Sequence, residues 1–194
     1  WVMRDSPAIH FWQGETLDQI WITHGHLDHA GGAAEMQEKT GVPITGPQKA
    51  DQFWIDRIVE SGRMYGLPGA RPFTPDRWLE DGDTVSLGQT TWEVRHCPGH
   101  TPCHVIFFNR AARFAQVGDV LFKGSVGRTD FPMSDPPALI RSVIEKLWPL
   151  GDDVTFVPGH GPISTFGEER RTNPFVSDAA MRQAPIQREP SGPA

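Results

Sequence analysis

Residues 23–32 read T-H-G-H-L-D-H-A-G-G, placing His24, His26, Asp28 and His29 within six consecutive positions. Imidazole nitrogens and carboxylate oxygens are the donors of zinc-type sites. If the segment continues the apolar residues 20–22 as extended chain, His24 and His26 stand two apart and face the same side, where they can share one ion. Asp28 and His29 are neighbours and diverge from that pair, so the spacing suggests a second ion close by. The bland alternative is a group of surface histidines beside a helix start, with Asp28 as N-cap and Gly31 and Gly32 relieving crowding.

Four donors are too few for a two-metal hydrolytic site, so others must come from distant parts of the chain. Three later segments share one layout, an extended apolar run that ends in glycine and then a potential ligand. They are W-E-V-R-H-C-P-G-H at 92–100, A-Q-V-G-D at 115–119 and V-T-F-V-P-G-H at 154–160. Together with residues 20–24 they form four expected strands that deliver His24, His100, Asp119 and His160 at their C-terminal ends. A glycine before the ligand suits close backbone approach to an ion.

The H-x-H-x-D-H run resembles the signature of the metallo-β-lactamase superfamily. More closely, G-V-P-I-T-G-P at 41–47, T-P-D-R-W-L at 74–79, H-C-P-G-H-T-P at 96–102, G-D-V-L-F-K-G-S-V-G-R-T-D-F-P at 118–132 and F-V-P-G-H-G-P at 156–162 resemble its short, single-domain glyoxalase II-like branch. The resemblance covers roughly residues 15–178. It implies that His24, His26 and His100 hold one metal, that Asp28, His29 and His160 hold the other, and that Asp119 bridges. Asp28 and Asp119 are then the catalytic carboxylates. Both ions would polarise a shared water to hydroxide near neutral pH, with no protein nucleophile. Arg128, and with a weaker claim Lys123, would contact the substrate, a guanidinium being suited to a carboxylate; the competing role for Arg128 is a local ion pair with Asp130. His104 and His96 flank His100, and His104 is expected to support the ligands rather than join them. Cys103 stands where the family has glycine, and Pro136 where a histidine is common.

A chain of 194 residues is long enough for one well-filled core and short for two domains. The expected organisation is one domain over residues 1–173 and a loose polar tail over 174–194. A formal net charge of -6 and the lack of a Lys/Arg run argue against nucleic acid as partner. Cys97 and Cys103 are too few for a secreted disulfide framework and read as reduced thiols. No run reaches the ~18 apolar residues of a membrane span, and no signal-peptide layout opens the chain, so the expected compartment is the cytoplasm.

The elements that must position these residues follow from pattern. Residues 30–40 are helix formers stopped by Gly41, 42–45 a short strand, and 51–60 a helix whose Phe53, Trp54, Ile55, Ile58 and Val59 form an apolar face. Residues 62–75 read as a loop rich in glycine and proline. A hairpin closes around Gly88-Gln89, residues 105–108 form a central apolar strand, and 135–148 form a helix with Asp135 as N-cap and Pro136 and Pro137 in its first turn. Strands mixed with helices and ligands at strand ends fit an α/β layered protein. The resemblance narrows this to the αββα sandwich. Residues 1–13 carry no period, and the opening hairpin usual in the family is not matched, so the N-terminal strands are expected to be incomplete, with an unpaired sheet edge.

The implied function is a metal-dependent thioester hydrolase of glyoxalase II type, acting on S-lactoylglutathione or a related acyl-thiol, with two divalent ions, zinc first and iron or manganese also allowed by the donors. An iron-dependent glutathione persulfide dioxygenase is the alternative on the same scaffold, using the residues matching His24, His100 and Asp119. An inactive homologue is a further one.

Overall fold

The computed structural model describes residues 17–183; the aperiodic start, on which the expectation of incomplete N-terminal strands falls, lies outside the described residues. The hub is a six-stranded mixed sheet with order β10-β9-β6-β5-β4-β3. Its strands are Thr84–Leu87 (β3), Thr90–His96 (β4), Val105–Asn109 (β5), Phe114–Gly118 (β6), Thr155–Pro158 (β9) and Ser164–Thr165 (β10). All neighbours are antiparallel except β6 and β9, which run parallel. Because β5 lies antiparallel between β4 and β6, the strands β4, β6 and β9 point the same way. Their C-terminal ends therefore share one rim, and each is followed there by an expected ligand.

β5 is buried along its whole length, as its unbroken apolar run requires of a strand covered on both faces. Val105 and Phe107 face Leu79, Val85 and Val94, together with Trp21 of a second, smaller sheet. That sheet pairs Ile20–Trp21 (β1) in parallel with Ile44–Thr45 (β2). Its other side, with Ile22 and Ile44, packs on Ala30, Ala33, Ile55 and Ile58, carried by helices Leu27–Ala30 (α1), Ala33–Thr40 (α2), Gln52–Asp56 (α3) and Ile58–Met64 (α4). On the opposite face of the hub, Ile106 and Phe108 meet Leu139, Val143, Leu147 and Phe166, from Pro136–Ser142 (α5), the turns after it and Phe166–Thr172 (α6). The order is helix, sheet, sheet, helix, in agreement with the expected layers.

Several boundaries differ from the sequence reading. The first helix begins at Leu27, so Asp28 and His29 lie on a helical turn and His26 takes the N-cap place. The helix expected over 51–60 breaks at Arg57 and resumes to Met64, letting Ile55 and Ile58 both reach the core. α5 begins as expected, the Ala138 N–H donating to Asp135 Oδ1 at 2.9 Å. It then widens into a π turn over Val143–Leu147 and tightens at Trp148–Leu150, where Pro149 has no N–H to continue an α-helix. Of the loose tail expected over 174–194, residues 174–183 are described, and there Val176 is fully buried and Asp178–Gln183 form α7. Short strands Leu121–Phe122 (β7) and Ser125–Val126 (β8) make a hairpin directly after Asp119. Among the described residues, no helix is long and apolar enough to cross a membrane.

Candidate metal centre

At the common rim the structure gathers His24 and His26 from the loop after β1, Asp28 and His29 from α1, His100 after β4, Asp119 after β6 and His160 after β9. One donor atom each from His24, His26 and His100 lies within 4.8 Å of the others, and the same holds for Asp28, His29 and His160 and for His24, His29 and Asp119. Asp119 is the link: its carboxylate lies 3.3 Å from His29 Nε2, 3.5 Å from His100 Nε2 and 3.7 Å from His160 Nε2. Thus all seven residues expected from the sequence come together, in two adjoining groups.

The donor chemistry fits a metal. His100 Nδ1 lies 2.7 Å from the Arg128 carbonyl, which can only accept, so Nδ1 carries the proton. Burial, foremost, lowers the His100 pKa, and the neutral ring then turns an Nε2 lone pair toward His26 Nδ1 at 3.0 Å. Burial and the surrounding histidines hold His24 neutral as well, and burial takes His26 down to about 3. His24 Nε2 is buried without a hydrogen-bond partner among the described residues. His26 Nε2 is likewise buried without one, and two such nitrogens at the same floor are costly to leave unsatisfied unless a cation takes up their lone pairs.

The second group is more acidic and more open. His160 Nε2 lies 2.9 Å from Asp28 Oδ2, and the two side chains are 48% and 39% exposed. Burial alone would lower His29, yet its bonds to Asp119 and Asp28 prevail and push it up to about 9. Burial would raise Asp28, but the hydrogen bond and charge of His29, with His160 beside them, hold its carboxyl below the usual range. The open side of the centre is therefore at His160 and Asp28, while His24 and His100 form its closed floor.

Glycine is needed where backbone comes nearest. A Cβ on Gly159 would fall 2.0 Å from Asp119 Oδ1 and 2.7 Å from His29 Cε1. Behind the floor, the Asp119 N–H donates to His104 Nε2 at 3.0 Å, and the His104 ring stacks on His24 with centroids 4.5 Å apart. That is the supporting place expected of His104. His96 lies near the Pro102 carbonyl instead. Cys97 and Cys103 are free and buried, and burial pushes the Cys103 thiol up to about 11.

Arg128 is exposed and paired with Asp130 at 2.7 Å, its guanidinium 4.7 Å from the centre of the Phe131 ring. Its carbonyl, not its side chain, is what reaches His100, a contact that no sequence pattern announces. Lys123 is exposed in the β7–β8 turn beside Phe122, whose ring lies 6.2 Å from that of His160. Trp54, expected only as part of the apolar face of residues 51–60, forms one wall of the centre with Phe131: their rings lie 4.5 Å and 4.9 Å from that of His26. The β7–β8 hairpin leading to Arg128 is held from α6. There buried Glu169 accepts the Gly124 N–H at 2.7 Å, and Asn173 Nδ2 donates to the Ser125 carbonyl at 2.9 Å.

Known proteins resemble this chain over most of its length. The family model described as the metallo-beta-lactamase superfamily matches residues 2–160. Hydroxyacylglutathione hydrolase GloC of Haemophilus influenzae is 43% identical over 162 residues, 83% of this chain and 76% of that protein. Among solved structures, TTHA1623 in a di-iron-bound form superposes with a TM-score of 0.77 at 37% identity, over 87% of this chain and 82% of that one. The BLEG-1 B3 metallo-beta-lactamase does so with a TM-score of 0.74 at 31% identity, over 82% and 77%.

Proposed function

The chain belongs to the metallo-beta-lactamase superfamily, and from that premise we propose that it is a thioester hydrolase of glyoxalase II type, acting on S-lactoylglutathione or a related acyl-thiol. The observation that carries the reading is Asp119, whose carboxylate stands between the two donor groups at 3.3–3.7 Å from His29, His100 and His160. His24, His26 and His100 would hold one divalent ion, Asp28, His29 and His160 a second, and Asp119 would reach both. Zinc suits this nitrogen and carboxylate set, and iron or manganese can use it too. When bound, such a pair supplies water acidic enough to ionise near neutral pH and a Lewis acid for the carbonyl.

The chain's own part is placement. His100 is locked in one tautomer by Arg128 O, and Asp119 is fixed through its backbone by His104. Trp54 and Phe131 shield the His26 side, leaving the carbonyl to approach past His160 and Asp28. Arg128, on exchanging Asp130 for a substrate carboxylate, would orient the thiol half, with Lys123 as a further cation at the rim. Attack of water on the acyl carbon breaks the C–S bond, and the products are the carboxylic acid and the thiol. Similarity to a hydroxyacylglutathione hydrolase supports the substrate class. The test is hydrolysis of S-lactoylglutathione alongside a metal assay. His24→Ala and Asp119→Ala are expected to lower kcat/KM by about a hundredfold or more, because each removes a ligand and not a contact. Unchanged turnover in either variant would remove the mechanism, and oxygen uptake with glutathione persulfide in place of thioester cleavage would favour a dioxygenase.

A further inference from the structure

Asp51 is a fully buried carboxylate that the proposed chemistry does not use. It stands at the start of α3, where an aspartate ordinarily caps the helix, yet its side chain makes no cap bond. It turns inward. Asp51 Oδ2 accepts the Gly25 N–H at 2.8 Å and the Thr101 hydroxyl at 3.0 Å, and Oδ1 accepts the Cys103 N–H at 3.1 Å. Gly25 lies between His24 and His26, and Thr101 directly follows His100. We infer that Asp51 is a positioning residue for the metal-ligand triad: one buried carboxylate ties the loop carrying His24 and His26 to the loop carrying His100 and sets their separation.

Three features argue for this over general packing. The three donors come from two loops far apart in sequence, and those loops supply every member of the His24, His26 and His100 group. Gly25 admits the approach, since a Cβ there would come 2.9 Å from the Asp51 carbonyl oxygen and 2.9 Å from Trp54 Cβ. Among the described residues no cation pairs with Asp51, so its charge rests on these hydrogen bonds, an arrangement that is costly unless the groups around it are fixed in place. Burial accordingly raises the carboxyl to about 6, against the pull of the Gly25, Thr101 and Cys103 donors. Asparagine cannot replace it, because its NH2 would face a donor.

The inference rests on the ligand assignment proposed above, and its test separates the two. Cobalt(II) affinity is measured by chelator competition on the wild type, Asp51→Asn and Thr101→Val, with the visible absorption of the bound cobalt and the unfolding temperature of each metal-free protein. Loss of an outer-shell partner weakens metal binding by about 10–100-fold. Asp51→Asn is therefore expected to bind about tenfold or more weakly with shifted cobalt bands, and Thr101→Val, which removes one of three bonds, by about threefold or more. Should Asp51→Asn fail to fold, Thr101→Val decides alone. Affinities within about twofold of wild type and unchanged bands would overturn the inference, whatever the unfolding temperatures, since a merely structural role moves only those. A wild type that takes up no cobalt would sink the ligand assignment itself and this inference with it.

Discussion

His29 is the side chain whose proton most directly opposes a metal. Asp119 and Asp28 push it up to about 9 in the metal-free centre, so that proton must leave before His29 can ligate. Affinity for a divalent ion is accordingly expected to rise between pH 7 and pH 9, measured by chelator competition; a flat profile would contradict the arrangement. The linkage sign for the metal-free fold follows from the same shift. Because His29 is raised above its ordinary 6.5, its stabilisation is complete below about pH 6.5 and is lost as pH climbs through about 9. His26, lowered to about 3, acts oppositely, taking stability away as pH falls from about 6.5 toward 3. The urea midpoint of the chelated protein should therefore peak near neutrality. At this scale the seven donors were legible, because residue type and spacing carry that signal. Asp51 and the Arg128 carbonyl were not: one resembles a helix cap, and the other is backbone.

At the scale of elements, the centre depends on strands that run the same way and end at one rim. The glycine just before His160 lets β9 close on Asp119. Gly159→Ala places a methyl against that carboxylate, and a clash with buried structure costs about 1–3 kcal/mol. It is expected to lower both the denaturant midpoint and the metal content, and an alanine variant with full metal loading would show that the approach is looser than described. The hairpin at Gly88-Gln89, the buried β5 and the start of α5 were legible in period and turn residues. The π turn at Val143–Leu147 and the break at Arg57 were not, since they arise where helices adjust to fill a core that only the assembled layers define. The polar composition after Pro174 concealed Val176, a single apolar residue that anchors α7.

For the molecule as a whole, three apolar clusters separate four layers, and the residues proposed to hold metal come from four segments spread between His24 and His160. Alternation and composition indicate a mixed α/β chain; the order of layers was legible only through resemblance to a family, because face-to-face packing of two sheets leaves no periodicity of its own. Ions held across so many segments bind the folded chain alone, so at a hundredfold excess over Kd they would add about 3 kcal/mol of stability, which chelation removes. The most direct test of the whole account is the mass of the folded chain under native conditions after loading with zinc and dialysis. Two ions per chain are predicted, with at least one lost in Asp119→Ala; a wild type that retains none, or only one, would contradict a centre built around a bridging carboxylate.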